Sequence, residues 1–261
     1  MSRLAFISDE DFKNHIKKTI KQYDKNLKPY DKEKFNSNVI DPIKLIFDKN
    51  VYGFSWEEII KNEVFRQRDK STTNDIGYFH QNFFNYITGC TVPPEGWDVI
   101  VKKDGGTDIP EVGTVATIYV EMKNKHNTMN SASAAKTYMK MQNQVMRDDD
   151  SVCFLVEAIA KRSQNITWQV TLDGEKIKHK AIRRVSMDKF YEIVTGEPNA
   201  FYDMCMNLPE VIEEIIKENG ENIIPKDTVY NELQDVAGKD NRNFALALYM
   251  LGFPTYNGFS K

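Results

Sequence analysis

Two acids and a lysine lie close to apolar segments near the middle of the chain. Asp98 begins one such segment at residues 97–100, and Glu121 and Lys123 end another at residues 119–123. Side chains alternate along a strand, so Glu121 and Lys123 must point to the same face of a sheet. If the two strands pair, Asp98 meets them there. Two carboxylates beside one ammonium can hold a divalent cation and position a water, which is the chemistry that cuts phosphodiesters.

Each of the three groups has its own task in such a site. Mg²⁺ takes oxygen ligands and usually keeps several waters, so the carboxylates of Asp98 and Glu121 suffice as its protein ligands. The ion would stabilise charge on the phosphate and lower the pKa of a bound water. Lys123 would orient or activate that water and add positive charge. The sequence thus predicts Asp98, Glu121 and Lys123 as catalytic residues, with either one metal ion or two.

The Glu-x-Lys tripeptide carries little weight by itself, because about one Asp/Glu-x-Lys is expected by chance in a chain of this composition. A second example, with Asp11 and Lys13, lies at the start of a predicted helix, where the two side chains point in different directions. Glu121 and Lys123 instead end a β-branched strand and precede a basic segment. The alternative interpretation is an exposed ion pair on a sheet, which is a common feature.

The pattern around these residues predicts an α/β core with a mixed central sheet. Strands are predicted at residues 98–101, 115–122, 152–159, 166–172 and 182–185, helices at 76–87, 131–147 and 187–194, and a turn at 102–106. Helical patterns fill residues 1–70 and 196–261, including a helix start at Ser55. We therefore expect one domain over residues 1–261, with a core at about 74–195 and helical additions at both ends.

Composition bounds the class of protein. With 261 residues, 41% hydrophobic and 28% charged, the chain is typical of a soluble globular protein. No apolar run approaches the roughly 20 residues of a membrane span, so no membrane partner is expected. The N-terminus lacks the layout of a signal peptide, and the three cysteines are far apart with no metal-type spacing. We expect a reduced, cytoplasmic protein.

Charge is unevenly distributed although the net charge is only −3. Residues 121–147 carry five basic side chains and one acid, and residues 197–240 carry three lysines and eleven acids. The chain is therefore basic around the predicted site and acidic towards its end. A basic region at the site suits a nucleic-acid substrate, whereas the acidic segment is interpreted as a solvated helical surface.

The spacing and the longer strings around the site resemble those of a known family. Asp98, a gap of 22 residues and then Glu121 and Lys123 resemble the motif of the PD-(D/E)XK nuclease superfamily. The strings IGYFHQ at 76–81 and EMKNKHNTMN at 121–130 look like type II restriction endonucleases that cut GGNCC-type sites. The similarity runs from about residue 66 to 195. The short motif is shared by many nucleases, and the longer strings are much more specific.

This resemblance implies a restriction-endonuclease-like core that cleaves double-stranded DNA at a short palindrome. It implies a Mg²⁺-dependent homodimer, 5′-phosphate and 3′-hydroxyl ends, and a cognate methyltransferase as functional partner. Asp98, Glu121 and Lys123 take the catalytic roles by position. Trp97 stands where the motif has proline, which relatives often lack. Gln81 lies near a position where many members carry a glutamate, and it is a candidate for a water-mediated metal contact.

Candidates for DNA contacts follow the catalytic strand and lie on the next predicted helix. They are Lys125, His126, Asn127, Lys136 and Lys140. Lys125 is either a phosphate contact or simply solvated, and His126 is either a DNA contact or a loop histidine. Lys136 and Lys140 are four residues apart, so they share a helix face suited to a DNA backbone.

Base readers would come from basic residues between 161 and 184, because arginine and lysine read guanine. The choice among them stays open. These residues are Arg162, Lys178, Lys180, Arg183 and Arg184.

Three functions are compatible with these features. The first is a sequence-specific restriction endonuclease, and the second is a repair or recombination nuclease on the same core. The third is a non-catalytic DNA-binding protein that retains the fold. The presence of Asp98, Glu121 and Lys123 together counts against the third, and the longer strings and the lack of helicase or zinc modules count against the second.

Overall fold

The computed structural model describes residues 2–172, 174–219, 226–238 and 241–253. The helices are α1 Asp9–Asn26, α2 Lys32–Asn36, α3 Pro42–Tyr52, α4 Trp56–Phe83, α5 Ser131–Arg147, α6 Met187–Thr195, α7 Ala200–Asn219, α8 Val229–Ala237 and α9 Asn241–Gly252. A 3₁₀ turn, Phe84–Tyr86, follows α4. The strands are β1 Cys90–Thr91, β2 Val99–Ile109, β3 Gly113–Lys125, β4 Ser151–Ile159, β5 Asn165–Leu172 and β6 Glu175–Ser186. None of these helices is both long and apolar enough to cross a membrane.

The described residues divide into two compact units. One is drawn from Met1–Ile20 and Asp75–Gly220, and the other from Lys21–Asn74 and Glu221–Lys261. The first unit contains the sheet and the predicted catalytic residues. The second is helical, and in it α2 packs with α8 and α3 packs with α9. Helical additions at both ends of the chain are thereby confirmed, while a single domain over 1–261 stays a prediction.

The six strands form one mixed sheet in the order β1-β2-β3-β4-β6-β5. Strand β4 runs parallel to both of its neighbours, β3 and β6, and the remaining pairs are antiparallel. The connection from β3 to β4 passes through α5, as the crossover between parallel strands requires. This arrangement confirms the predicted α/β core with a mixed central sheet flanked by helices.

Strand β4 is buried on both faces, which explains its near-continuous apolar sequence. Phe154 and Val156 pack in the large core on one face, whereas Leu155 packs on the other face in a cluster with Tyr138 and Met141 of α5. Leu155 is the register partner of Glu121. Glu121 and Lys123 therefore lie on the α5 side of the sheet.

The turn predicted at residues 102–106 was wrong, because β2 continues through it to Ile109. The pairing register with β3 shifts between Lys102 and Thr107, and two glycines with positive φ, Gly105 and Gly106, lie in that shift. Glycine tolerates this backbone at a bulge, so a glycine pair that looks like a turn in sequence bends a strand instead. The strand predicted at 182–185 is likewise only the end of the longer β6.

The two helical signals at residues 55 and 76–87 belong to one helix, α4, which spans 28 residues. Its start is a capping box: Ser55 Oγ accepts a hydrogen bond from the Glu58 N–H at 3.2 Å, and Glu58 Oε2 accepts one from the Ser55 N–H at 2.7 Å. The predicted helix start at Ser55 is thus confirmed. The middle of α4 is polar, so the sequence pattern did not show that the two segments form one continuous helix.

Candidate active site

Asp98 is held against β3 by two hydrogen bonds. Its backbone N–H donates to the Val120 carbonyl at 3.0 Å, and its Oδ2 accepts from the Met122 N–H at 2.7 Å. Met122 stands between Glu121 and Lys123, so the structure brings all three predicted catalytic residues together. The pairing of β2 with β3 places them there.

Glu121 lies between two ammonium groups. Lys123 Nζ is 2.7 Å from Oε1, and Lys140 Nζ, which comes from α5, is 2.8 Å from Oε2. The Glu121 side chain is only 17% exposed. An exposed ion pair of the common kind therefore does not describe this group, because the carboxylate is largely buried and both of its oxygens are bound. The two carboxylates, of Asp98 and Glu121, and the two ammonium groups together carry a net charge of zero.

The two carboxyl groups have pKa values that are shifted in opposite directions. Burial raises the pKa of Asp98 above its usual range, the Met122 N–H opposes this shift, and the nearby charge of Glu121 adds to it. Burial also acts to raise the pKa of Glu121, but hydrogen bonds from Lys123 and Lys140 outweigh it and the pKa is lowered. The surroundings thus favour the ionised form of Glu121 and disfavour that of Asp98.

Lys140 is fixed in the site by more than its ion pair. Its Nζ donates to the Gly96 carbonyl at 2.5 Å and lies 4.1 Å from the centroid of the Trp97 ring, within cation–π range. The spacing in the sequence predicts Lys140, together with Lys136, as a contact to the DNA backbone. Lys136 is exposed and makes no ion pair with the described residues. The two lysines therefore have different surroundings although they share a helix face.

Gln81 reaches the site through the backbone. Its Nε2 donates to the Asp98 carbonyl at 3.3 Å, and no bond joins it to the Asp98 carboxylate among the described contacts. This bond supports the position of Asp98 at the entry to β2. A water-mediated metal contact of Gln81 stays a prediction.

The three candidate DNA contacts closest to the motif differ in their surroundings. Lys125 and Asn127 are exposed. His126 is anchored: its N–H donates to the Ile159 carbonyl at 3.0 Å, and its Nδ1 lies 2.9 Å from Nη2 of Arg184. Roles of these residues in DNA binding stay predictions.

One charged residue beside the site, Glu157, was missed in the sequence, and its partner Arg184 was named there only as a candidate base reader. Glu157 of β4 is fully buried and forms an ion pair with Arg184 of β6. Glu157 is the register neighbour of Lys123. The available signal was that Glu157 is the single charged residue in the otherwise apolar strand β4. Arg183, a candidate base reader, is 1% exposed and hydrogen-bonded to Asn165. In this conformation its side chain therefore cannot contact a DNA base.

The donor set of the site fits a hard cation. Asp98 and Glu121 supply carboxylate oxygens, and no group of three or more His, Cys, Asp or Glu able to hold a metal occurs among the described residues. Zinc sites need three or four protein ligands, whereas Mg²⁺ keeps several waters and needs only one or two carboxylates. Binding of the ion at Glu121 would require exchange of a lysine contact.

Comparison with known proteins identifies the family of this chain. The family model described as Eco47II restriction endonuclease matches residues 4–217, which include all the site residues above. The chain is 30% identical over 265 residues to the type II restriction enzyme Sau96I of Staphylococcus aureus, covering 98% of each protein. It is 30% identical over 230 residues to the type II restriction enzyme Eco47II of Escherichia coli, covering 84% of this chain and 90% of that protein. The chain therefore belongs to the Eco47II restriction endonuclease family and is a type II restriction enzyme, a site-specific deoxyribonuclease.

Proposed function

We propose that this enzyme hydrolyses double-stranded DNA at a short palindrome of the GGNCC type, with Asp98, Glu121 and Lys123 as catalytic residues and Mg²⁺ as cofactor. The observation that carries the proposal is the hydrogen bond that holds Asp98 beside Glu121 and Lys123, 2.7 Å from the Met122 N–H. Type II restriction enzymes generally need a divalent metal, and the chain belongs to that class.

Each of these residues has a separate role in the proposed reaction. Asp98 and Glu121 would hold the cation, which would stabilise charge on the phosphate and lower the pKa of a water. The Lys123 ammonium donates to the attacking water or to a phosphate oxygen and so orients the reactants. The water oxygen bonds to phosphorus and gives up a proton to solvent, the bond to the 3′ oxygen breaks, and that oxygen takes up a proton from solvent. The ends are then a 5′-phosphate and a 3′-hydroxyl.

A palindromic target suggests how the enzyme is assembled. Two-fold symmetry in the DNA matches a homodimer whose two active sites face opposite strands. An enzyme of this kind also endangers the DNA of its own host, so a cognate methyltransferase is its functional partner without a required contact. Both proteins would act in the cytoplasm, where that DNA lies.

Incubation of the protein with plasmid DNA and Mg²⁺, followed by sequencing of the ends, tests the proposal. Discrete fragments that share one palindromic core, with 5′-phosphate ends, are the expected result. Nicking that follows DNA structure rather than sequence would instead indicate the repair or recombination alternative. Failure to cut in Mg²⁺ and in Mn²⁺, with DNA still bound, would overturn the proposed cofactor and site.

A further inference from the structure

A buried ion pair lies next to the catalytic strand on the same side of the sheet. Glu157 is 0% exposed and is the register neighbour of Lys123 on β4. Its partner, Arg184 of β6, has a side chain that is 21% exposed. Burying two charges costs several kcal/mol per ion. When a buried ion pair is replaced by apolar residues of similar volume, the folded protein is often equally stable or more stable. Stability alone therefore does not account for the ion pair.

The ion pair holds one residue, His126, at several atoms. Arg184 Nη2 contacts the Glu157 carboxylate and lies 2.9 Å from His126 Nδ1 and 3.0 Å from the His126 carbonyl oxygen. The backbone N–H of His126 donates to the Ile159 carbonyl at 3.0 Å. Backbone and ring are both fixed, directly after the end of the catalytic strand. Loop histidines that are merely solvated have no such set of contacts.

Two groups lie close to His126 Nδ1: Arg184 Nη2 at 2.9 Å, which can only donate a hydrogen bond, and the Glu157 carboxylate at 3.4 Å, which accepts one. The shorter contact, with Arg184, makes Nδ1 the acceptor, and in that tautomer of the neutral imidazole Nε2 carries the proton. The side chain is 38% exposed, and Nε2 has no hydrogen-bond partner among the described residues. His126 thus offers a fixed N–H donor. It is three residues beyond Lys123, a span of at most about 10 Å in extended chain.

We propose that Glu157 and Arg184 are positioning residues that fix His126, and that His126 Nε2–H donates to a DNA phosphate near the scissile bond. The inference rests on the proposed function of the adjacent site. Contacts of this kind set the register of a protein on the duplex without reading bases. The side chain of Lys125, the exposed neighbour of His126, has no such contacts with the described residues, and Lys125 is the matched residue for comparison.

The test uses a series of DNA duplexes that contain the cleavage site. In each duplex a single phosphate, at a different position, is replaced by methylphosphonate. Binding to the enzyme is measured with Ca²⁺ in place of Mg²⁺. Methylphosphonate removes the charge of a single phosphate. In the wild-type enzyme we expect affinity to fall about 10-fold at the phosphate that His126 contacts, as for a hydrogen bond to a charged group. The His126→Ala variant should lose this sensitivity there and retain it at the other phosphates. Equal sensitivity of both proteins at every position would overturn the proposal.

The positioning residues are tested by rescue and by coupling. His126→Gln keeps an amide donor near Nε2 and should restore sensitivity at that phosphate. Arg184→Lys should lose it, and the double variant Arg184→Lys with His126→Ala should bind no more weakly than His126→Ala alone. Full additivity would mean that Arg184 does not act through His126. His179→Ala, which changes an exposed histidine of β6, is the control that should leave all values unchanged.

Failure of this inference differs from failure of the proposed catalytic site. If Glu121→Ala still cuts DNA, the catalytic assignment is wrong whatever His126 does. If Glu121→Ala is inactive and His126→Ala retains every phosphate sensitivity, only the inference about His126 is overturned. If the Arg184→Lys variant does not fold, the test relies on the His126 variants, because they leave the buried ion pair in place.

Discussion

Lys140 of α5 donates a hydrogen bond to Oε2 of Glu121 over 2.8 Å, while Lys123 holds the other oxygen at 2.7 Å. The carboxylate of Glu121, a proposed catalytic residue, therefore contacts a lysine of its own strand and a lysine of the following helix. Because α5 covers this face of the sheet, folding of α5 completes the site. The second lysine balances the second carboxylate, which lets two acids lie side by side before any cation binds.

Glu121→Ala and Lys123→Ala should each reduce cleavage by at least about 10²-fold, because they remove a metal ligand or the group that orients the water. DNA affinity should change little, since neither residue is a main source of phosphate contacts. Single-turnover cleavage rates and gel-shift titrations measure the two effects. Lys13→Ala alters the other Asp-x-Lys tripeptide of the chain and is the matched control. Wild-type rates in either site variant would show that the site is misplaced.

Lys140→Met should lower the cleavage rate at saturating DNA by about 10-fold to 10²-fold, because a charge in contact with Glu121 is removed. The half-maximal rate should also be reached at a lower Mg²⁺ concentration, since the lysine no longer competes with the cation for Oε2. Rates across a Mg²⁺ titration give both values.

Lys136→Ala is the comparison for Lys140, four residues away on the same helix. It should leave the saturated cleavage rate unchanged, weaken binding for all sequences, and reduce the salt slope of binding by about 1. If Lys140→Met behaves in the same way as Lys136→Ala, Lys140 is a backbone contact and no part of the catalytic site.

Acid should destabilise the protein through a buried histidine. His15 is 3% exposed, its Nε2 lies 2.9 Å from the Phe79 carbonyl, and burial lowers its pKa from 6.5 to about 4. The folded state holds His15 neutral and the unfolded chain protonates it near pH 6.5. Its contribution is therefore fully present above pH 6.5 and is lost as the pH falls towards 4, up to about 3 kcal/mol.

Urea unfolding at pH 7.5 and at pH 4.5 measures this loss. The His15→Gln variant should show a smaller difference in the free energy of unfolding between the two pH values than the wild type. His80, whose pKa burial also lowers to about 4, keeps part of the dependence. His179→Gln, at an exposed histidine, should reproduce the wild-type difference. An unchanged difference in His15→Gln would contradict the prediction.

Two glycines should respond to alanine with opposite signs. Gly89 has φ +81, and a Cβ there would lie 2.7 Å from the Lys102 carbonyl oxygen, so Gly89→Ala should destabilise by about 1–3 kcal/mol. Gly77 lies inside α4 with no atom within 4 Å of its Cβ position, so Gly77→Ala should stabilise by about 0.5–1 kcal/mol. Denaturant unfolding of both variants provides the comparison, and a loss of stability in Gly77→Ala would be the contrary result.

Local pattern was enough to predict the elements that carry the site. Alternation placed Glu121 and Lys123 on one face, and the apolar run of β4 identified a strand that is buried on both sides. Such patterns succeed because the periods of helix and strand depend only on neighbours in sequence. They failed where a glycine pair was compatible with both a turn and a bulge, as at Gly105 and Gly106.

The sequence by itself thus determined the candidate motif, the strand that presents it and the class of enzyme that it resembles. Only the tertiary structure decided that Lys140 reaches Glu121, that Asp98 is held by the Met122 N–H, and that His126 is anchored by a buried ion pair. These partners are many residues apart along the chain. Their contacts depend on how strands pair and on where α5 crosses the sheet, and no local period of the sequence encodes either.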